Sequence, residues 1–202
     1  MKHEGWNAAA AAVGVPVDDR AASRLDAYEQ LLRERAIPMG MIAPADAPRL
    51  RERHILDGLR GAPLLPDGAT SAVDLGSGAG IPGVPIAIAV PGLALTLTEA
   101  RRNRAAFLEL VVDELDLALV RVHPGRAEDL AALFDVVLAR AFADPRQTWR
   151  AAQRLLHPGG CLVYWAGRTF DPVRDAPPDV IVRVFPASAL ANAGAVAIMT
   201  EQ

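Results

Sequence analysis

Residues Ser71 to Pro85 read SAVDLGSGAGIPGVP. The opening run, Ala72 to Leu75, is apolar apart from Asp74, and Gly76, Gly78 and Gly80 follow at once. The run predicts a buried strand and the glycines the turn that leaves it. Glycine has no Cβ, so such a turn can take positive φ and lie directly against a ligand. A helix is expected to open near Pro82 or Pro85 and to carry Ile86, Ala87, Ile88 and Ala89. Proline fits a first helical turn, where its missing N–H would be unpaired anyway. Strand, glycine turn and helix form the opening unit of a nucleotide-binding α/β sheet.

The glycine spacing separates two kinds of ligand. A dinucleotide fingerprint runs G-x-G-x-x-G, whereas Gly76, Gly78 and Gly80 run G-x-G-x-G with an acid, Asp74, two residues ahead. That form resembles the first motif of S-adenosylmethionine (SAM)-dependent methyltransferases. The resemblance implies a turn packed against the amino-acid end of SAM and a second acid, at the tip of the next strand, holding the ribose hydroxyls. The next strand is expected at Leu93 to Thr98, with Glu99 at its tip. A carboxylate there accepts two hydroxyl bonds, which suits SAM or NAD and would repel a 2′-phosphate. The plain alternative is a glycine-rich turn with no ligand. The agreement of strand, acid, glycines and second acid argues against it.

A chain of 202 residues fits one domain with an extension. Half of its residues are hydrophobic, enough for a real core. Lysine occurs once, at Lys2, against twenty arginines, a bias of composition rather than of function. The net charge of -3 does not mark a nucleic-acid binder, and it does not exclude one, because only the contacting face must be basic. The lone Cys161 excludes an internal disulfide, and the scattered histidines show no zinc cluster. No uncharged apolar stretch is long enough to span a membrane. The N-terminal MKHEGWNAAAAAVGV is interrupted by Glu4 and reads as a helix rather than a signal peptide. A soluble, cytoplasmic, monomeric protein is expected.

Residues 1–60 read as a helical extension and 61–202 as the sheet-bearing unit, the two forming one compact body. Helices are expected at Trp6 to Val13, after Asp18 or Asp19 with Leu25, Tyr28, Leu31 and Leu32 inward, and at about Arg49 to Leu59. Between them Ile37 to Pro48, rich in proline, reads as a loop. From Ala72 strands and helices alternate, which predicts a doubly wound, mostly parallel α/β sheet. Its further elements are a helix at Asn103 to Leu115, strands at Ala118 to Val122 and Phe134 to Ala139, and a helix at Gln147 to Leu156. His157 to Gly160 reads as the stop and turn after that helix, and Cys161 to Trp165 as the fifth strand. Val180 to Phe185 and Ala195 to Thr200 read as an antiparallel edge pair, with Gly167 to Asp179 a loop before them.

Several segments together resemble the bacterial 16S ribosomal RNA guanine-N7 methyltransferases, the glucose-inhibited division protein B family. They are Arg53-His54-Ile55-Leu56-Asp57, VDLGSGAGIPGVPIAI, Arg104 with Phe107-Leu108, Gly125-Arg126-Ala127-Glu128, Ala139-Arg140-Ala141-Phe142-Ala143 and Pro158-Gly159-Gly160. They cover roughly residues 25–170 in the family's order. The resemblance implies a Rossmann-like SAM-dependent methyltransferase fold with SAM held by Gly76, Ile81, Ala127, Glu128 and Arg140; Gly78 and Glu99 join them on the reading above. It implies 16S rRNA or the small ribosomal subunit as partner. Three features depart from the family pattern: RERAIPMGMIAP lacks the usual asparagines, Ala166-Gly167 stands where Lys-Gly is usual, and Glu99 replaces the commoner Asp.

Guanine N7 carries a free lone pair at neutral pH, so its methylation needs alignment rather than proton removal, and orientation alone supplies a large rate factor. No general base is assigned; Arg140, at the end of a buried parallel strand, is the candidate for a direct role. His54 and Asp57, three apart on a helix, read either as an acid–base pair or as a local structural contact. Trp165 reads either as a base-stacking aromatic or as core. Arg51, Arg53, Arg101, Arg102 and Arg168 are the candidate RNA-facing cations, against a reading in which they form a solvated face. A methyltransferase of a small molecule and a catalytically silent RNA-binding relative are the competing functions.

Overall fold

The computed structural model describes residues 4–187, 190 and 193–202. The expected first helix, Trp6 to Val13, lies within them, and the first three residues of the N-terminal stretch lie outside. Two helices lead, α1 (Glu4–Ala12) and α2 (Asp19–Leu31). Asp18 caps α2 by accepting the Ala21 amide at 2.7 Å, satisfying one of the free N–H groups of the first turn. A wide π-helical turn, Leu32–Ala36, closes this helix. The proline-rich segment carries one 3₁₀ turn, Pro44–Arg49. A second π-helical turn, Arg51–Leu56, runs into α3 (Asp57–Leu59), so the expected third helix is present but locally unwound.

The sheet follows: β1 (Ser71–Leu75), α4 (Gly83–Ala89), β2 (Ala94–Thr98), α5 (Arg102–Glu114), β3 (Val120–His123) and β4 (Phe134–Arg140). Then come α6 (Pro145–Gln153), β5 (Leu156–Trp165), α7 (Pro172–Asp175), β6 (Val180–Phe185) and β7 (Val196–Glu201). The strand order is β3-β2-β1-β4-β5-β7-β6, with β1 to β5 parallel and β7 antiparallel to both its neighbours. The order reverses between β1 and β4, and ligands of open α/β sheets settle at the carboxyl ends of such a pair.

The last two strands form the expected antiparallel pair at the sheet's edge, with β6 outermost and β7 between it and β5. Apolar residues on both faces of β7, Ala197 and Met199 on one and Val196 and Ile198 on the other, suit that covered position. His157 to Gly160 is not the turn before β5 but an excursion within it. Phe134 pairs with Leu156 and Val136 already with Cys161, so the four residues bulge out while the partner strand advances two.

Alternation along the strands sorts side chains to two cores. Ala72, Leu95, Leu97, Val136, Leu138 and Val163 pack under α4, α5 and the N-terminal helices, in one cluster with Trp6, Leu25, Tyr28 and Ile55. Val73, Leu75, Val137, Ala139, Leu162 and Tyr164 pack under α6 with Trp149 and Ala152. The N-terminal helices thus share the sheet's own core, and Asp74 and Arg140, two residues on from Ala72 and Leu138 in their strands, belong by alternation to the face these helices cover.

Candidate functional site

The carboxyl end of β1 leaves the sheet through bare backbone. Gly76, Gly78 and Gly80 have φ of +62, +57 and +93°, a region any side chain would strain. A Cβ at Gly78 would find nothing nearer than 3.8 Å, so this turn stands open on one side, whereas one at Gly76 would meet the ring of Phe142 at 3.1 Å. The turn is tied to β2: Ser77 donates its amide to the Thr98 carbonyl at 2.8 Å and Gly76 to the Thr98 hydroxyl at 3.1 Å. It is also tied to the extension, because Tyr28, fully buried, donates its hydroxyl to the Ala79 carbonyl at 2.7 Å.

Glu99 closes the other side. It is buried at the tip of β2, its Oε2 accepting the Gly78 amide at 3.2 Å and its Oε1 the Arg101 amide at 2.8 Å. A carboxylate has about four acceptor sites, so two remain for a pair of hydroxyls. Beside it, the Glu99 amide bonds the carbonyl of His123, where the loop after β3 departs. That loop makes a 3₁₀ turn at Ala127–Asp129, with Ala127 buried and Glu128 exposed.

Asp74 decides which ligand this unit fits. Its Oδ2 accepts the amide of Gly83, the first residue of α4, at 3.1 Å. The helix N-terminus, which in a dinucleotide site would hold the pyrophosphate, is therefore occupied from within by a buried acid. Its Oδ1 is buried without a partner. Burial pushes this carboxyl up to about 7. With that amide already taken, the start of α4 offers a pyrophosphate no cradle, while the Glu99 side of the turn keeps the acceptor capacity that a diol needs.

Arg140 ends β4, across from β1. Its Nε lies 3.2 Å from Asp57 Oδ2, and its Nη2 donates to the Arg53 carbonyl at 3.1 Å. The RHILD and RAFA segments, 87 residues apart, are thus in contact through Asp57, Arg53 and Arg140. Asp57 does not pair with His54. It holds Arg60, whose Nη2 is 2.6 Å from Oδ1, while His54 Nε2 sits 3.2 Å from Asp46. Burial, aided by the Arg140 cation, holds His54 below its usual value against the pull of Asp46. A neutral imidazole at neutral pH makes a hydrogen bond there, not an ion pair, and it has no acid–base partner in Asp57.

The remaining candidates divide. Trp165 is core: its indole N–H donates to the Asp57 carbonyl at 2.7 Å, and its ring fills the space a Cβ on Gly61 would need. Arg51 is spent inside the fold, bonding Glu29 through Nε and Nη2 at 3.0 and 2.9 Å and lying 4.2 Å over the Trp6 ring. Arg53 pairs with Asp46 at 3.2 Å and stays half exposed. Arg101, Arg102 and Arg168 are exposed and, among the described residues, make no ion pair. They sit just beyond β2 and β5, on the same edge of the sheet as the glycine turn. Ile81 is buried beneath that turn, against α3. A surface hollow of about 490 Å³ lies at the opposite edge, between Trp149, Arg150, Pro178 and Glu201, and includes none of these candidates.

Two site residues were not singled out from the sequence. Phe142 covers Gly76, and Ala141, before it, has φ of +54°, an unusual conformation for alanine. This twist turns the chain after Arg140 back over the glycine turn. Asp57 was weighed only with His54, because the Arg140 contact spans too much sequence for spacing to reveal it.

The family model for rRNA small subunit methyltransferase G matches residues 21–179. The chain belongs to this family. A relative of that name from Anaeromyxobacter sp. is 35% identical over 177 residues, covering 85% of this chain and 81% of its own. Another, from Acidothermus cellulolyticus, is 41% identical over 140 residues, covering 69% of this chain. The chain spans only 63% of that relative's length. Among solved structures, the O-methyltransferase TomG from Streptomyces achromogenes, in complex with SAM, is similar with a TM-score of 0.60 at 20% identity, covering 100% of this chain and 99% of its own. A methyltransferase from Geobacter sulfurreducens gives 0.58 at 17% identity, covering 92% and 90%. The fold is that of the SAM-dependent methyltransferases.

Proposed function

We propose that the chain is a SAM-dependent methyltransferase that methylates N7 of a guanine in 16S rRNA. It would act as a cytoplasmic monomer, with residues 1–60 as a helical extension packed on a methyltransferase unit, 61–202. The observation that carries this reading is the meeting of three family segments at one edge of the sheet: Asp57 of RHILD on Arg140 of RAFA, with Phe142 of RAFA over Gly76. The relatives' printed name supplies the rRNA substrate class. N7 specificity rests on the resemblance of the motifs.

The residues fit SAM. Gly76 and Gly78 offer backbone without side chains, Glu99 keeps acceptor capacity for the ribose diol, and Ile81, Ala127, Glu128 and Arg140 complete the set. Bound SAM supplies an electrophilic methyl group on a sulfonium. The chain's part is orientation. Tyr28 and Thr98 fix the glycine turn by hydrogen bonds at 2.7 and 3.1 Å, so the cradle is formed before any ligand arrives. No side chain need accept a proton from N7, which agrees with a neutral His54 that is paired elsewhere. Glu99→Ala is expected to weaken SAM binding by about 1.5–3 kcal/mol, the worth of hydrogen bonds to a charged group. Calorimetric titration of the two proteins measures this, and equal affinities would remove Glu99 from the site.

The unpaired rim of Arg101, Arg102 and Arg168 favours RNA over a small molecule, because phosphate contacts dominate such affinity. The test incubates the protein and labelled SAM with 16S RNA, with small subunits and with a small-molecule extract. Label recovered as 7-methylguanosine, lost in Arg140→Ala and reduced with a flatter salt dependence when the three arginines become alanine, is expected. Label only in the extract would reassign the substrate, and SAM binding without any transfer would leave a silent relative.

A further inference from the structure

Asp57 lies where the N-terminal helices meet the strand ends. Its side chain is buried between two guanidiniums. Oδ1 accepts Nη2 and Nε of Arg60 at 2.6 and 3.2 Å, and Oδ2 faces Nε of Arg140 at 3.2 Å. Its carbonyl takes the indole N–H of Trp165, and Arg60 reaches on to the carbonyl of Gly194, ahead of β7. One residue therefore links, directly or through Arg60, the ends of β4 and β5 and the approach to β7.

Arg140 is held at two of its three nitrogens, Nε by its ion pair with Asp57 and Nη2 by a hydrogen bond to the Arg53 carbonyl, and Nη1 has no partner among the described residues. A guanidinium is a rigid planar fork, so the hydrogen bond at Nη2, with the Asp57 charge drawing in the Nε side, orients Nη1. Both fixing contacts come from one short segment, residues 53–57. We propose that Asp57 is the positioning residue for Arg140: it holds the guanidinium in the plane from which its free edge meets the cofactor. This rests on the cofactor reading above. The charge pattern supports a role beyond packing. Arg60 needs only Oδ1, and Oδ2 is spent on a side chain still 22% exposed at the site. Without the carboxylate, Arg60 and Arg140 become neighbouring like charges, and the one able to move toward solvent is Arg140.

The test is SAM titration by calorimetry on the full chain, with no dependence on turnover. Asp57→Asn and Arg140→Ala are each expected to weaken SAM binding about tenfold, and the double variant to bind no more weakly than Arg140→Ala alone, since Asp57 acts only through that arginine. Asp57→Asn also leaves Arg60 without its counter-charge and is expected to lower the melting temperature. Adding Arg60→Met removes that buried charge. This variant is expected to regain melting temperature while SAM binding stays weak, which a purely structural role does not predict. Wild-type affinity in either Asp57→Asn background, no loss in Arg140→Ala, or losses that multiply in the double variant would each overturn the proposal. A parent chain that binds no SAM would instead bring down the cofactor reading, and this proposal with it.

Discussion

Asp74→Asn is expected to stabilise the ligand-free protein at pH 8 and to leave it nearly unchanged at pH 4. Asp74 is 1% exposed, and burial raises its carboxyl from 3.8 to about 7 against the opposing effects of the Gly83 amide and the Arg140 cation. Below pH 3.8 the acid is protonated in both folded and unfolded chains and contributes nothing to the difference. Between 3.8 and about 7 the folded chain holds the proton and the unfolded chain has released it, so the unfolded state binds fewer protons and stability falls as pH rises. Above about 7 the full cost is present, on the order of 4 kcal/mol for a shift of this size. Asparagine reproduces the neutral acid, with an oxygen for the Gly83 amide, and removes the slope. Denaturant melts of parent and variant across pH 4 to 8 measure it. A difference that stays constant with pH would mean that Asp74 is not the group responsible. Asp135 works in the opposite sense. Hydrogen bonds from the backbone and hydroxyls of Thr70 and Ser71 lower it to about 2, so what it contributes is present above pH 3.8 and lost as pH falls toward 2.

The same residue illustrates what is legible in the sequence. A strand, an acid and spaced glycines are local, and each reports a backbone need that no other residue meets, so the unit from Ser71 to Ala89 and its ligand class were readable. The parallel sense of the sheet followed from alternation as far as β5. Beyond it, β6 and β7 were readable as an antiparallel edge pair, but not which of the two meets β5, because that contact is far away in sequence. The excursion at His157 to Gly160 was misread as a turn because Pro and Gly mark any departure from regular backbone, and a bulge carries the same signal as a loop.

Side-chain partnerships were the least legible. Arg51 and Arg53 were read together as candidate RNA-facing cations and His54 beside Asp57, yet the fold gives each of them other partners. Arg51 goes to Glu29 and Trp6, while Arg53 and His54 turn to Asp46. The π-helical turn at Arg51–Leu56 contributes to this, since its i→i+5 bonding, with more residues per turn, displaces side chains from ordinary helical spacing. The candidate cations that make no ion pair among the described residues, Arg101, Arg102 and Arg168, lie within four residues of strand ends, where parallel topology gathers them on the ligand edge. Their meaning depends on the sheet being parallel, which the sequence did predict.

Gly83→Val is expected to unfold at a much lower denaturant concentration than the parent. The first three glycines of the turn need positive φ, but Gly83 is helical and needs space instead. A Cβ there would lie 2.5 Å from Leu97 Cδ2, 2.8 Å from Asp74 Oδ2 and 3.2 Å from Leu95 Cδ2. Leu95 and Leu97 are wholly buried in β2, so neither has room to retreat. The α4 N-terminus approaches the sheet closely enough for its first amide to reach Asp74, and that approach is what valine prevents. Overpacking of a filled core costs about 1–3 kcal/mol. Losing the Gly83–Asp74 bond leaves a buried acid with neither oxygen paired, which adds roughly 1–3 kcal/mol. A combined loss of about 2–6 kcal/mol is a large part of a stability that typically lies at about 5–15 kcal/mol. Gly92→Ala is the control: a Cβ there meets nothing within 4 Å, and a change within about 0.5 kcal/mol is expected. A Gly83→Val protein that unfolds at the parent's denaturant midpoint would show that α4 can lift from β1 and β2 at no cost, and the Asp74 environment described here would not hold.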